Sequence, residues 1–120
     1  MAALNLLAGK AAEQKACEFL LKQGLTLISK NYRCKQGEID LIMRDGQDIV
    51  FIEIRLRTNK NFGSAIESIN ESKQKKILRT AIHFLRGRQW LHTKNCRFDV
   101  IGMSDNHFEW IKNAFTADIL

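Results

Sequence analysis

The chain reads as an α/β domain in which a central mixed sheet of about five strands is flanked by helices. Three observations predict this. Apolar residues recur at helical spacing near the N-terminus and again past the midpoint. Between and after those stretches lie short runs rich in Ile, Val, Leu and Phe that suit strands. Their order is helix, three strands, helix, two strands, and a helix placed between strands allows a parallel crossover within one sheet.

The first helix covers residues 4–23. Leu4, Leu7, Ala11, Ala12, Ala16, Phe19 and Leu20 form its stripe, and Gly24 is placed to end it. Residues 25–34 and 38–44 follow as strands. Asp45-Gly46 is a hairpin signal leading into a third strand at 48–56. The segment 57–62 is a polar, basic loop, and 64–69 is a short helical turn. A second long helix starts near Asn70 or Ser72 and runs to about Leu85, with Ile77, Ala81 and Leu85 facing inward and Gly87 as its stop. Residues 96–103 and 107–111 form the last hairpin, and the tail from Lys112 is expected to be a short helix or loop.

The 120 residues contain no proline, no Gly/Ser linker and no repeat, so one domain spanning 1–120 is expected. Nineteen Lys and Arg stand against thirteen Asp and Glu, a net charge of +6 that favours an anionic partner such as nucleic acid. The three cysteines, Cys17, Cys34 and Cys96, are odd in number and lack a C-x-x-C pair. That argues against a disulfide framework or a thiolate zinc site and for a reducing compartment. The N-terminus lacks the charge and apolar length of a signal peptide. No run reaches the ~18 apolar residues of a membrane span. A cytoplasmic protein with no membrane partner is expected.

Alternation along the strand 48–56 puts Val50, Ile52, Ile54 and Leu56 on one apolar face, and Phe51, Glu53, Arg55 and Arg57 on the other. A carboxylate inside so apolar a strand is unlike ordinary surface decoration. In the preceding strand Glu38, Asp40 and Ile42 share a face, with Ile39, Leu41 and Met43 opposite. The hairpin makes the two strands antiparallel neighbours and brings Asp40 roughly opposite Glu53. Two adjacent carboxylates repel, which raises a pKa or calls for a cation between them. Paired oxygen ligands suit Mg²⁺, with Mn²⁺ as a substitute. Glu13, in line with the inward-facing Ala16, Cys17 and Leu20, is a third acid. The bland alternative for each is an ion pair with a neighbouring Lys or Arg.

These residues carry a resemblance. Gly9 to Glu13 reads G-x-x-x-E, Asn31 to Ile42 reads NYRCKQGEIDLI, and Val50 to Arg57 reads VFIEIRLR. Phe62-Gly63, SKQKK (Ser72 to Lys76) and CRFDVI (Cys96 to Ile101) follow. Over nearly its whole length the chain resembles the YraN family of uncharacterised bacterial proteins. That resemblance implies a restriction-endonuclease-like fold similar to that of archaeal Holliday junction resolvases. The superfamily core is a helix acid followed by D…(D/E)-x-K across a hairpin. By this resemblance Glu13 is the helix acid, and Asp40 and Glu53 are the strand acids. Arg55 stands in the place of the lysine. The implied activity is Mg²⁺-dependent hydrolysis of phosphodiester bonds in DNA, branched or single-stranded, with metal on Asp40, Glu53 and Glu13. Arg55 would clamp the phosphate. It stays protonated and so cannot serve as a general base.

Lys73, Lys75 and Lys76 form a basic run, and a charge run is usually a solvated face. Lys73 is the least ordinary, since helix starts favour acids. Together Arg57, Lys60, Lys73 and Lys76 would line a groove for nucleic-acid phosphates. Trp90 and Trp110 would stack on bases or simply pack. Arg97 and Asp99 read as a structural pair. A homodimer would let two sites cut two strands. The alternatives to a nuclease are a nucleic-acid-binding module of the same fold, weakened or inactivated by Arg55, and a basic scaffold for a protein partner.

Overall fold

The computed structural model describes residues 2–56, 65–104 and 107–117. Helix α1 (Ala2–Lys22) leads into β1 (Thr26–Cys34), β2 (Gly37–Asp45) and β3 (Asp48–Leu56). A 3₁₀ turn at Ala65–Ser68 and helix α2 (Glu71–Gly87) come next, followed by β4 (Cys96–Ser104) and β5 (His107–Phe115). The strands form one sheet in the order β1-β2-β3-β4-β5. All neighbours are antiparallel except β3 and β4, which α2 joins as parallel strands. This mixed five-stranded sheet with two helices is consistent with a restriction-endonuclease-like domain.

The helices cover opposite faces. Ala12, Ala16, Cys17 and Leu20 of α1 pack on Leu41, Met43, Val50 and Ile52. Ile77, Leu78, Ala81, Phe84 and Leu85 of α2 pack on Ile39, Ile42, Ile49 and Phe51. β3 is therefore buried on both faces, as its apolar run requires. Its last residue, Leu56, departs from the expected apolar face, because it is 51% exposed.

Helix α1 ends as expected. Gly24 takes φ 99°, and the Leu25 and Gly24 N–H groups donate back to the Leu20 and Leu21 carbonyls. This is the paired capping that a left-handed glycine allows. Helix α2 starts at Asn70, whose side chain accepts from the Lys73 N–H at 2.8 Å. Its end differs from expectation. Gly87 is the last helical residue, and Gln89 takes the left-handed position at φ 60°. The Trp90 and Gln89 N–H groups donate to the Leu85 and Arg86 carbonyls. The C-terminal tail also differs, since β5 continues to Phe115 instead of stopping at residue 111. The pairing slips between Phe98 and Val100, with Asn113 at φ 53° on the opposite strand. Asp99 stabilises that bulge. Its buried carboxylate accepts from the Asn113 N–H (2.9 Å), the Trp110 indole (3.0 Å) and Arg97 Nε (3.1 Å). Arg97 and Asp99 are thus a structural pair, and Trp110 is a packing residue edge-on to Phe19.

Gly37 closes the β1–β2 hairpin against α2. It takes φ 150°, and a Cβ there would sit 3.1 Å from Thr80 Oγ1. Both the backbone conformation and the close contact disfavour a larger residue. Gly37→Ala is expected to lower stability by about 1–2 kcal/mol, measured as a lower midpoint in urea. An unchanged midpoint would show that the hairpin is not seated on α2 as described.

Candidate active site

The β2–β3 ladder runs from Asp45↔Asp48 to Leu41↔Ile52 and stops there. One further step of the same register sets Asp40 beside Glu53. At that step the ladder is replaced by a side-chain bond, because the Ile54 N–H donates to Asp40 Oδ2 at 2.9 Å. Beyond it β2 stays paired with β1, and β3 with β4. The two strands therefore part at the two acids.

Strict alternation fails around the same point. Ile39 and Ile42 are three apart yet belong to one cluster, against the expectation that Ile39 would share a face with Leu41 and Met43. In β1, adjacent Lys30 and Asn31 both reach α1. Lys30 Nζ donates to Gln14 and Asn31 Nδ2 donates to Glu13 Oε2 at 3.1 Å. Asn31 has φ 52°, a left-handed conformation that Asn tolerates better than most residues. It lies between the Lys30↔Leu41 and Tyr32↔Ile39 pairs, hence opposite Asp40. A double irregularity in β1 and β2 thus exposes Asp40 to groups from both layers.

Glu53 is the more enclosed of the two strand acids at the site, its side chain only 7% exposed. Its Oε1 faces two cations, Lys73 Nζ at 3.6 Å and Arg55 Nη2 at 3.9 Å. Oε2 is buried and has no hydrogen-bond partner among the described residues. Burial is the main cause of its raised pKa, about 7, with repulsion from Asp40 next; Lys73 and Arg55 pull in the other direction. Asp40 is raised to about 6, again by burial first, opposed by the Ile54 N–H and reinforced by Glu13 and Glu38. A buried acid with an unpartnered oxygen, beside a second buried acid, is an arrangement that could accept a shared proton or a cation.

The expected residues fall into two groups. Asp40, Glu53 and Arg55 come together, and Lys73 joins them from the first turn of α2. Glu13 is half-buried and near enough to act on Asp40, but its bond is to Asn31. Among the described residues no three His, Cys, Asp or Glu side chains are grouped to hold a metal ion. Asp40 and Glu53 are thus a pair, with Glu13 one step removed. Lys76 lies beside Gly37, and no ion pair joins it to an acid among the described residues. Arg57 and Lys60 lie outside the described residues, as do Phe62 and Gly63. Sequence reasoning did not single out Asn31, although an Asn inside a strand is a signal for an irregular position. It placed Lys73 in a phosphate groove and not on Glu53.

The model of the family described as Uncharacterised protein family UPF0102 matches residues 12–103, a span that contains every acid and cation just described. The chain belongs to the UPF0102 family. It is 51% identical over 116 residues to a UPF0102 protein of Nitrosospira multiformis, covering 93% of this chain and 95% of that protein. It is 49% identical to one from Nitrosomonas europaea (89% and 92% covered) and 44% identical to one from Coxiella burnetii (92% of each). UPF0102 and the YraN resemblance are one family. Among solved structures it is similar to Pyrococcus furiosus SfsA in complex with Ca²⁺, with a TM-score of 0.34 and 14% identity over 90% of this chain and 62% of that one. So loose a likeness carries no argument. No helix among the described residues is long and apolar enough to cross a membrane.

The raised carboxylates set a pH dependence. Their folded-state values lie above those of the unfolded chain, so the folded state holds protons that the unfolded state releases. Stability from this pair is therefore highest below about pH 4 and falls as pH rises to about 7. Glu53→Gln removes the charged form. It is expected to raise stability near pH 8 by about 1 kcal/mol or more and to flatten the slope between about pH 5 and 8, read by thermal melts in chelator. A Glu53→Gln protein that melts lower at pH 8 would mean that the ion pairs outweigh the burial.

Proposed function

We propose that this UPF0102 protein is a divalent-metal-dependent phosphodiesterase acting on nucleic acid, with DNA as the substrate class. The observation that carries the reading is the buried Asp40–Glu53 pair with its unpartnered oxygen, flanked by two cations on one side.

Asp40 and Glu53 would hold Mg²⁺, or Mn²⁺ in its place. Magnesium is commonly bound through one or two carboxylates plus water and substrate phosphate, so a pair suffices. When bound, such an ion supplies Lewis acidity to the scissile phosphate and activates water. The acids must be ionised to receive it, which their raised pKa values allow only toward neutral and alkaline pH. The Ile54 N–H anchors Asp40 by one oxygen. Glu13, held by Asn31, would ligate the ion or position it through water from the α1 side.

Two cations are available for the phosphate. Arg55 offers a fixed planar fork suited to two phosphate oxygens. Lys73 offers a compact ammonium whose donors can divide between Glu53, water and phosphate. Lys73 thereby fills, from a helix, the role that the superfamily gives to the lysine of (D/E)-x-K. Arg55 at that strand position is also the feature that favours a second reading, a nucleic-acid-binding module that does not cut.

The test is cleavage of labelled single-stranded, duplex and four-way-junction DNA with Mg²⁺, Mn²⁺ or chelator. Metal-dependent cutting is expected, and Asp40→Ala and Glu53→Ala abolish it. Lys73→Ala is expected to lower the rate by roughly 100-fold, and adding Arg55→Lys to Lys73→Ala recovers part of the loss. Binding without cutting by the wild type would favour the second reading. Full activity in Lys73→Ala would remove Lys73 from the chemistry.

A further inference from the structure

The opposite end of α2 carries a second cluster of cations. Arg44 of β2, Arg88 just past α2 and Lys94 before β4 gather round one indole, with their charged groups 5.6, 5.3 and 6.0 Å from the Trp90 ring centre. Arg88 also lies over Phe84 at 5.0 Å. Like charges repel, so three cations around one ring call for compensation beyond the ring's own quadrupole. None of the three has a carboxylate partner among the described residues, and Arg44 Nε is buried without a hydrogen-bond partner. Asp45, the acid nearest in sequence, is taken by Arg97 at 2.9 Å.

The cluster is built into the fold. Gln89 accepts the left-handed conformation at φ 60° that ends α2, and the turn returns the Trp90 N–H to the Leu85 carbonyl at 2.8 Å. Trp90 is thereby set edge-on to Phe84 and against the α2-side core. A pocket of about 420 Å³ opens alongside, lined by Arg86, Gln89, Leu91, His92 and Thr93. It adds one more cation and several hydrogen-bonding groups, and no acid.

Lys73 and Arg88 mark the two ends of α2, about 22 Å apart at 1.5 Å per residue. Exposed Lys76 and His83 lie between them on the β1–β2 flank, Lys76 beside Gly37 and His83 hydrogen-bonded to Tyr32. A spacing of about 22 Å corresponds to roughly six or seven steps of duplex at 3.4 Å each.

We propose that Arg44, Arg88 and Lys94 around Trp90 form a second phosphate-binding site, which grips the backbone of a nucleic acid whose other part lies at the Asp40–Glu53 pair. The protein then holds its polyanion at two points along α2, and a substrate must extend well beyond the scissile bond to use both. This rests on the nucleic-acid reading of the carboxylate site. Phosphate is the chemistry the cluster recognises, since its charged groups are all cations and no carboxylate is paired with them among the described residues.

The test is binding of a fluorescein-labelled 20-base-pair duplex by anisotropy in chelator, between about 50 and 200 mM salt. Wild type is compared with the Arg88→Gln, Lys94→Gln double variant. The double variant is expected to bind roughly tenfold more weakly at the lowest salt, with its log–log salt slope reduced by about 1.8, or 0.9 per lost contact. Duplex addition is also expected to change the tryptophan emission of wild type and not of Trp90→Phe. An unchanged affinity and slope in a folded double variant overturns the second site while leaving the nucleic-acid reading intact. An emission change that persists in Trp90→Phe also counts against it. No salt-sensitive binding by the wild type overturns both.

Discussion

The site depends on the place where β2 and β3 stop pairing. Up to Leu41↔Ile52 they form an ordinary antiparallel ladder. One residue later the Ile54 N–H is taken by the Asp40 carboxylate and not by a strand carbonyl. That exchange satisfies a backbone donor that would otherwise be stranded in the core. It also fixes a carboxylate beside Glu53, where neither acid is comfortable as an anion. The raised pKa values of both are the energetic trace of that placement. A neutral or apolar pair would be less costly to bury at this place. Strain of this kind is a common mark of function.

Helix α2 links the remaining features. Its N-terminal turn brings Lys73 to Glu53, its middle receives Gly37 of the β1–β2 hairpin, and its C-terminal turn seats Trp90 among cations. The parallel β3–β4 pairing requires the crossover that α2 provides, and the crossover sets the helix direction. Lys73 therefore lies at the β3 end that carries Glu53, and Trp90 at the end where β4 begins. Helix α2 thus carries Lys73, Lys75, Lys76, Arg79 and Arg86 against the single acid Glu71 along an element that passes the site. Such a distribution suits an extended anion better than a small one.

Much of this was legible in the residues. The helical stripes, the Asp45-Gly46 turn and the apolar run of β3 located the elements, and the hairpin register put Asp40 near Glu53. The misses have physical reasons. Ile39 changed faces where the left-handed Asn31 opposite Asp40 interrupts the period of two, and the partner of Asn31 there is Glu13 from a distant helix. β5 ran past residue 111 because the buried Asp99 stabilises a bulge at Asn113. α2 ended on a left-handed Gln89 although a glycine stood two residues earlier, because the turn there delivers Trp90 to Phe84. Lys73 signalled itself as a lysine where a helix start favours acids. Its contact with Glu53 crosses from one layer to the sheet, which no local pattern reports.

The central claim is that Asp40 and Glu53 form a cation site, and metal-linked stability tests it most directly without a substrate. The melting temperature would be followed near pH 8 as Mn²⁺ or Mg²⁺ is added to the wild type and to an Asp40→Asn, Glu53→Gln variant. A site on the folded state alone predicts a rise that grows with the logarithm of metal concentration, about 2.7 kcal/mol at 100 times Kd, and none in the variant. Equal behaviour of the two proteins would contradict the account and leave the buried acids as an ion-pair network with Lys73 and Arg55.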